Sequence, residues 1–446
     1  MRIKFSFLLA ILTAGITAAC GSSTSSGGTG TGTGQDSSST SDNGTLDTSP
    51  SDTASGDTTA ADTKGTDASG DVAKPDTGIV TDVLNSLDND LTQSMQALGA
   101  PGMSLAIVKG GKVAWSKAYG VADVDSQEAF TPQHLVRVGD LSQAVVALAV
   151  MQQVEAGTLS LSADINTYLP FKVTNPLHSG TITLGSLLSL TSGITDRSGL
   201  YDTTALPGDP TVLLADFDQS YFVTGGAEYA SANFVNAAPN ATYTYAYTAM
   251  ALAAHVVQQV TKTPFETYTQ TKIFAPLGMT SAVWFKKDIG TKPAAWPHGL
   301  DSSGNPSKYD DYTGVPYFPA VELYVSVPDF ARLLACLTTG GTLDGKALIK
   351  KASADQIFTV QNPNATDVDG NDWSMGLAFG TVQADNGDFW NLVGVDWGFY
   401  CESWTKADFS VSVVQCFNID LDPSDSTTVS NLGAITTSLL GQADSL

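Results

Sequence analysis

The chain has 446 residues, 42% of them hydrophobic, which is enough to bury a sizeable core in one large domain or two closely joined ones, so it cannot be wholly disordered. Its 21 basic and 45 acidic residues leave a formal net charge of -24. That charge excludes nucleic acid and anionic lipid headgroups as electrostatic partners. Four cysteines, Cys20, Cys336, Cys401 and Cys416, are too few for a disulfide scaffold and form no Cys-x-x-Cys pair. The four histidines, His134, His178, His255 and His298, are scattered without ligand spacing, so no metal or other cofactor is expected.

Residues 1–19 read as an export signal: Arg2 and Lys4 precede an apolar stretch, residues 5–16, too short to span a bilayer. The run Ile16-Thr17-Ala18-Ala19-Cys20 resembles a bacterial lipobox, with Thr17 in place of the usual leucine. Plain cleavage near Ala19 with a free Cys20 is the simpler reading. The polar linker that opens at Cys20 favours lipidation there, and several acyl chains would anchor stably in a membrane. Residues 20–78 are Ser, Thr, Gly and Asp with almost no apolar side chains, and such a segment cannot repay the entropy of ordering. It is expected to be a solvated tether. Together these features imply an exported lipoprotein of a bacterial cell envelope, at the outer membrane or cell surface.

The folded part is expected over residues 79–446. Val80, Val83, Leu84, Leu87, Leu91, Met95 and Leu98 repeat with helical spacing up to Gly99 and Pro101. Residues 103–108 and 113–119 are strand-like runs around Lys109-Gly110-Gly111-Lys112, a hairpin signal. Residues 140–156 read as a long buried helix ending at Gly157, with further helices at 249–260 and 328–338. A last hairpin pairs 398–404 with 409–417. If Trp404 faces Phe409, then Cys401 faces Ser412 and no Cys401–Cys416 disulfide is expected. The run Asp367-x-Asp369-Gly370-Asn371-Asp372 reads as a solvated turn, since its spacing fits no calcium loop.

A helix, a Gly-Gly hairpin and a helix opening Val136-Arg137-Val138-Gly139-Asp140-Leu141-Ser142-Gln143 resemble the start of the serine β-lactamase and penicillin-binding-protein superfamily, class C enzymes above all. Leu187-Leu188-Ser189-Leu190-Thr191-Ser192-Gly193, Tyr243 to Tyr247, Pro276-Leu277-Gly278-Met279 and Gly340-Gly341-Thr342-Leu343-Asp344-Gly345 follow in that family's order. The resemblance implies an α/β (α+β) fold of the β-lactamase/transpeptidase type. In it an antiparallel sheet flanked by helices (about 79–130 and 320–446) joins a mostly helical region (about 131–319), with the cleft between them.

Acyl transfer in that family uses a serine at a helix start and a lysine three residues later, on the same face. Asp140 and Gln143 occupy those positions. A carboxylate is a poor nucleophile towards an amide or ester, and a glutamine accepts no proton near neutral pH. The family's Tyr-x-Asn is here Tyr245 followed by Tyr247, its Lys-Thr-Gly or His-x-Gly is Leu392-Val393-Gly394, the His of His-Thr-Ser-Gly is Leu190, and a customary Gly-Gly is Val321-Glu322. The one other Ser-x-x-Lys, Ser403 to Lys406, falls in the last hairpin, where three-residue spacing gives no shared helical face. No catalytic residue is therefore expected. Asp140-x-x-Gln143 has the form of a capping box, with the carboxylate accepting the first N–H groups of the helix.

The leading expectation is a pseudoenzyme whose degenerate cleft, around Asp140, Gln143, Tyr245, Tyr247, Leu392, Gly394 and Trp397, binds a small-molecule or peptidoglycan-related ligand. An active esterase, peptidase or β-lactamase with unorthodox residues, Asp140 serving as base for water, is the second. A structural envelope component with an irrelevant cleft is the third.

Overall fold

A computed structural model describes residues 77–367, 374–384 and 387–446. The signal-like segment, Cys20, the linker as far as residue 76 and most of the 367–372 turn lie outside them. Contacts gather Leu84–Leu446 into a single unit. It is built on a seven-stranded antiparallel sheet of β1 (Gly102–Lys109), β2 (Lys112–Asp123), β3 (Glu128–Ala129), β6 (Gly380–Ala384), β7 (Gly387–Asp396), β8 (Phe399–Lys406) and β9 (Val411–Phe417), in the order β6-β7-β8-β9-β1-β2-β3. A separate two-stranded pair, β4 (Leu135–Arg137) with β5 (Tyr324–Ser326), lies in the connection between β3 and β6.

The central strands are apolar on both sides and divide their residues by the two-residue period of a strand. Met103, Leu105 and Ile107 of β1 and Val411, Val413 and Phe417 of β9 pack with helix α1 (Thr77–Ala97) and helix α5 (Ser426–Asp444) through Leu91, Met95, Leu432, Ile435 and Leu439. Ala106, Val108, Val414 and Cys416 point to the opposite face, into the larger core. That core contains helices α2 (Gln143–Glu155), α3 (Tyr247–Thr261) and α4 (Val327–Thr338). Every α2 residue from Gln143 to Met151 is buried, which explains why Ala-Val-Val-Ala-Leu-Ala-Val-Met shows no polar face: an apolar stripe on all sides marks a helix enclosed by its own protein. No helix among the described residues is long and apolar enough to cross a membrane.

The last hairpin departs from the expected register. Ser410 donates its N–H and hydroxyl to Asp408 Oδ1 at 2.9 and 2.6 Å, and Phe409 adopts the left-handed φ of 59°. Its ring packs on Phe358 at 5.0 Å. The turn therefore consumes residues 407–410 instead of 405–408, and Trp404 pairs with Val413. This shift places Cys401 directly opposite Cys416, with Cα atoms 4.1 Å apart, and the two form a disulfide. The expectation of no bridge was wrong because it placed the four-residue turn two residues too early. Mass spectrometry of non-reduced protein should find one peptide pair linked through Cys401 and Cys416; two free thiols there would contradict the register. Ser403 and Lys406 lie within β8, where residues three apart face opposite ways, so they form no pair.

Candidate functional site

The chain enters α2 through a 3₁₀ turn, Gly139–Ser142, pressed against β7. Glycine is required on both sides of that contact. Gly139 has a φ of 56°, and a Cβ there would fall 2.8 Å from the Gly394 carbonyl carbon; a Cβ on Gly394 would fall 2.1 Å from the Val138 oxygen. Backbone thus meets backbone, which brings the Val395 N–H over the side chain at position 140.

Asp140 is fully buried, and its Oδ2 accepts the Val395 N–H at 3.0 Å. A backbone donor of the sheet thus reaches the carboxyl directly. Oδ1 lies 3.3 Å from Gln143 Nε2, which also donates to the Tyr245 hydroxyl at 2.7 Å. Tyr245 meets Tyr247 edge to face at 5.2 Å, and Tyr247 stacks on Tyr317 at 5.9 Å. Leu392 and Gly394 are two apart on β7 and share its face. Asp140, Gln143, Tyr245, Tyr247 and Gly394 are thus brought together, with Leu392 on the same strand face as Gly394. Trp397, at the β7–β8 turn, instead stacks with Tyr201 and Tyr309.

The expected capping box is not formed. No side chain caps the start of the turn or of α2, because the Asp140 carboxyl reaches sideways to the sheet. Helix α3 at this site does receive a carboxylate: Asp196 accepts the Tyr247 and Thr248 N–H groups at 2.7 and 3.2 Å and the Thr248 hydroxyl at 2.7 Å. This cap comes from a distant segment, so no local motif announces it. Leu190, at the family's histidine position, has a φ of 56°, and its carbonyl accepts the Thr244 N–H at 2.7 Å, tying the 187–193 loop to the Tyr243–Tyr247 segment.

Sequence reading missed the charge cluster beside this site. Arg137 is buried and reaches Asp396 at 2.6 Å, Glu322 at 3.6 Å and the Thr313 carbonyl at 2.6 Å, with the Tyr324 ring 5.5 Å away. Glu322 also accepts the Val315 N–H. The one hint was Glu322 itself, an acid where the family carries glycine.

Burial raises the acids here. Desolvation pushes Glu322 up to about 8 and Asp396 to about 6 despite the pull of Arg137 on both, and it holds Asp140 well above the ordinary carboxyl range. A raised folded-state value means the folded protein holds protons that the unfolded chain releases. The associated stability is complete below the unfolded values near 4 and is lost as pH climbs through 6 and 8. The melting temperature should therefore fall from pH 5 to pH 8.5; a flat or rising profile would show that these acids are ionised in the fold.

The Beta-lactamase family profile matches residues 87–420. The chain belongs to that family. Protein flp of Staphylococcus aureus (strain N315) is 27% identical over 228 residues, 51% of this chain and 43% of that one. The putative penicillin-binding protein PbpX of Bacillus subtilis (strain 168) is 25% identical over 276 residues, 60% of this chain and 61% of that one. The chain thus spans less than half the length of the flp relative. Among solved structures, the octameric penicillin-binding protein homologue from Pyrococcus abyssi superposes with a TM-score of 0.62 at 20% identity, covering 79% of this chain and 77% of that one. EstCE1, a hydrolase with promiscuous acyltransferase activity, does so with 0.63 at 16%, covering 81% and 100%. These likenesses establish the β-lactamase/transpeptidase fold.

Proposed function

We propose that this member of the Beta-lactamase family is non-catalytic: an exported envelope lipoprotein, anchored through Cys20, whose altered cleft binds a small-molecule or peptidoglycan-related ligand without turning it over. The observation that carries this reading is the place of the Asp140 carboxyl. Acyl transfer needs a nucleophile beside a pair of donors held open for the oxyanion that develops on the substrate. At the nucleophile position here, a side chain of the protein itself already takes up the Val395 N–H of the sheet. Gln143, in the place of the base, has no proton-accepting nitrogen.

The same geometry speaks against Asp140 as a general base for water. A base must reach the proton that it abstracts and have a pKa matched to the working pH. Asp140 is closed off from solvent, and burial pushes its carboxyl well above the ordinary range.

The purified full chain should not be labelled by a fluorescent penicillin and should not hydrolyse a broad panel of esters above the background rate. A stoichiometric adduct that unlabelled penicillin blocks, or ester turnover abolished by Asp140→Asn, would overturn the reading.

A further inference from the structure

At the other end of α2, roughly 20 Å along the helix axis from Asp140, a cleft of about 610 Å³ opens beside Val154. This volume lies within the range of small-molecule sites, about 300–1,000 Å³. Its walls are the end of α2, the 159–162 turn, residues 183–186, Asn240 and residues 356–362. In a chain with 45 acidic residues, no charged side chain lines it.

The lining offers amides and hydroxyls around an apolar floor of Val154, Leu159 and Leu161. Several of these groups are pre-set. Asn362 Nδ2 donates to the Ser189 and Thr191 hydroxyls at 3.0 and 2.8 Å, which occupies both amide hydrogens and leaves the carbonyl oxygen as the open acceptor. Gln361 Nε2 is likewise committed to the Thr359 and Gln356 carbonyls at 2.6 and 3.4 Å, again leaving an acceptor. Asn240, held at a φ of 71° with its N–H on the Thr191 carbonyl at 2.7 Å, retains its amide hydrogens as donors. The lining thus presents both acceptors and donors beside a floor that can take an aliphatic face.

We propose that this cleft binds a neutral polyhydroxylated ligand of disaccharide size. Each hydroxyl of such a ligand both donates and accepts, which matches the mixed lining, and its C–H face suits the apolar floor. An anionic ligand would find no cation in the cleft and would be opposed by the net charge of -24.

The test titrates the full chain with maltose, cellobiose and N,N′-diacetylchitobiose, and with a glucuronic-acid disaccharide, by calorimetry and saturation-transfer NMR. At least one neutral disaccharide should bind and the acidic one should not. Asn240→Gly with Gln356→Ala should weaken binding at least tenfold with little change in melting temperature, because glycine accepts the left-handed backbone and the Gln356 amide has no bond among the described residues. Ser162→Trp, which fills the cleft from an exposed position, should abolish binding. Absence of neutral-disaccharide binding, equal binding of the acidic one, or binding unaffected by either variant would refute the proposal. None of these substitutions touches Asp140, so this test is separate from that of the non-catalytic reading.

Discussion

Arg137→Met is expected to destabilise the domain by about 3–5 kcal/mol, the usual cost of removing one partner from a buried ion pair, and so to take away much of a typical total of about 5–15 kcal/mol. Arg137 is the only cation within ion-pairing distance of Glu322 and Asp396 among the described residues. Without it, Asp396 loses the charge that offsets its desolvation at neutral pH, and Glu322 loses the pull that holds it as low as about 8. Adding Glu322→Gln and Asp396→Asn should restore a large part of the loss, because the triple variant buries no charge. Arg137→Lys should fail to rescue: a single ammonium cannot reach Asp396, Glu322 and the Thr313 carbonyl together as the guanidinium fork does. Urea midpoints at neutral pH measure all of these. A loss below about 1 kcal/mol for Arg137→Met, the scale of an exposed pair, would show that the cluster is not holding the fold.

The second large effect concerns Asp140→Ser combined with Gln143→Lys, which re-creates the family's nucleophile and base. β-Lactam hydrolysis should stay near background, since groups that act as a unit fail together: in another serine hydrolase the loss of one triad member costs on the order of a millionfold. Tyr247 and Leu392 would still stand where the family has polar groups. The stability cost arises from burial. Gln143 is 1% exposed, and an enclosed lysine shifts by up to about 3–5 pKa units, equivalent to roughly 4–7 kcal/mol. Gln143→Lys alone should be milder, because the Asp140 carboxyl, 3.3 Å from the Gln143 amide, can pair with the ammonium. Asp140→Asn keeps an acceptor for the Val395 N–H without a titrating group, so it should be neutral or stabilising at pH 8. Robust turnover by the double variant would mean that the remaining site is competent. A double variant as stable as the parent would mean that position 143 is open to water.

Local order was legible in the sequence and distant partnership was not. The α2 run, the Gly110-Gly111 hairpin, and the helices of 247–261 and 327–338 follow from periodicity and turn residues, and their observed bounds differ from the expected ones by only a few residues. The gathering of Asp140, Gln143, Tyr245, Tyr247 and Gly394 followed from motif order, because family resemblance carries spatial information that periodicity lacks. What Asp140 does there did not follow. A helix start with Asp and Gln three apart looks the same whether the carboxyl turns to the helix or to a strand 255 residues further on, and only the Gly139–Gly394 approach decides it. The Arg137 cluster joins three separate segments and has no local signature. The last hairpin went wrong at one residue: Phe409 adopts a left-handed backbone that an aromatic rarely takes, and that choice moved the register far enough to close a disulfide.

The order of the sheet also constrains when the domain can come into being. Strand β1 is completed by β9, in a register that joins Met103 to Phe417, so the first hairpin waits with one side bare until nearly the whole polypeptide is available. Contacts this remote make folding slow, because the closure entropy must be overcome before the contact is gained. An unpaired apolar edge is meanwhile open to wrong partners. For a chain delivered N-terminus first through a membrane, as proposed here, the arrangement has a benefit. The polypeptide cannot lock into its native sheet while part of it is still in transit, and stays threadable until its last strand has crossed.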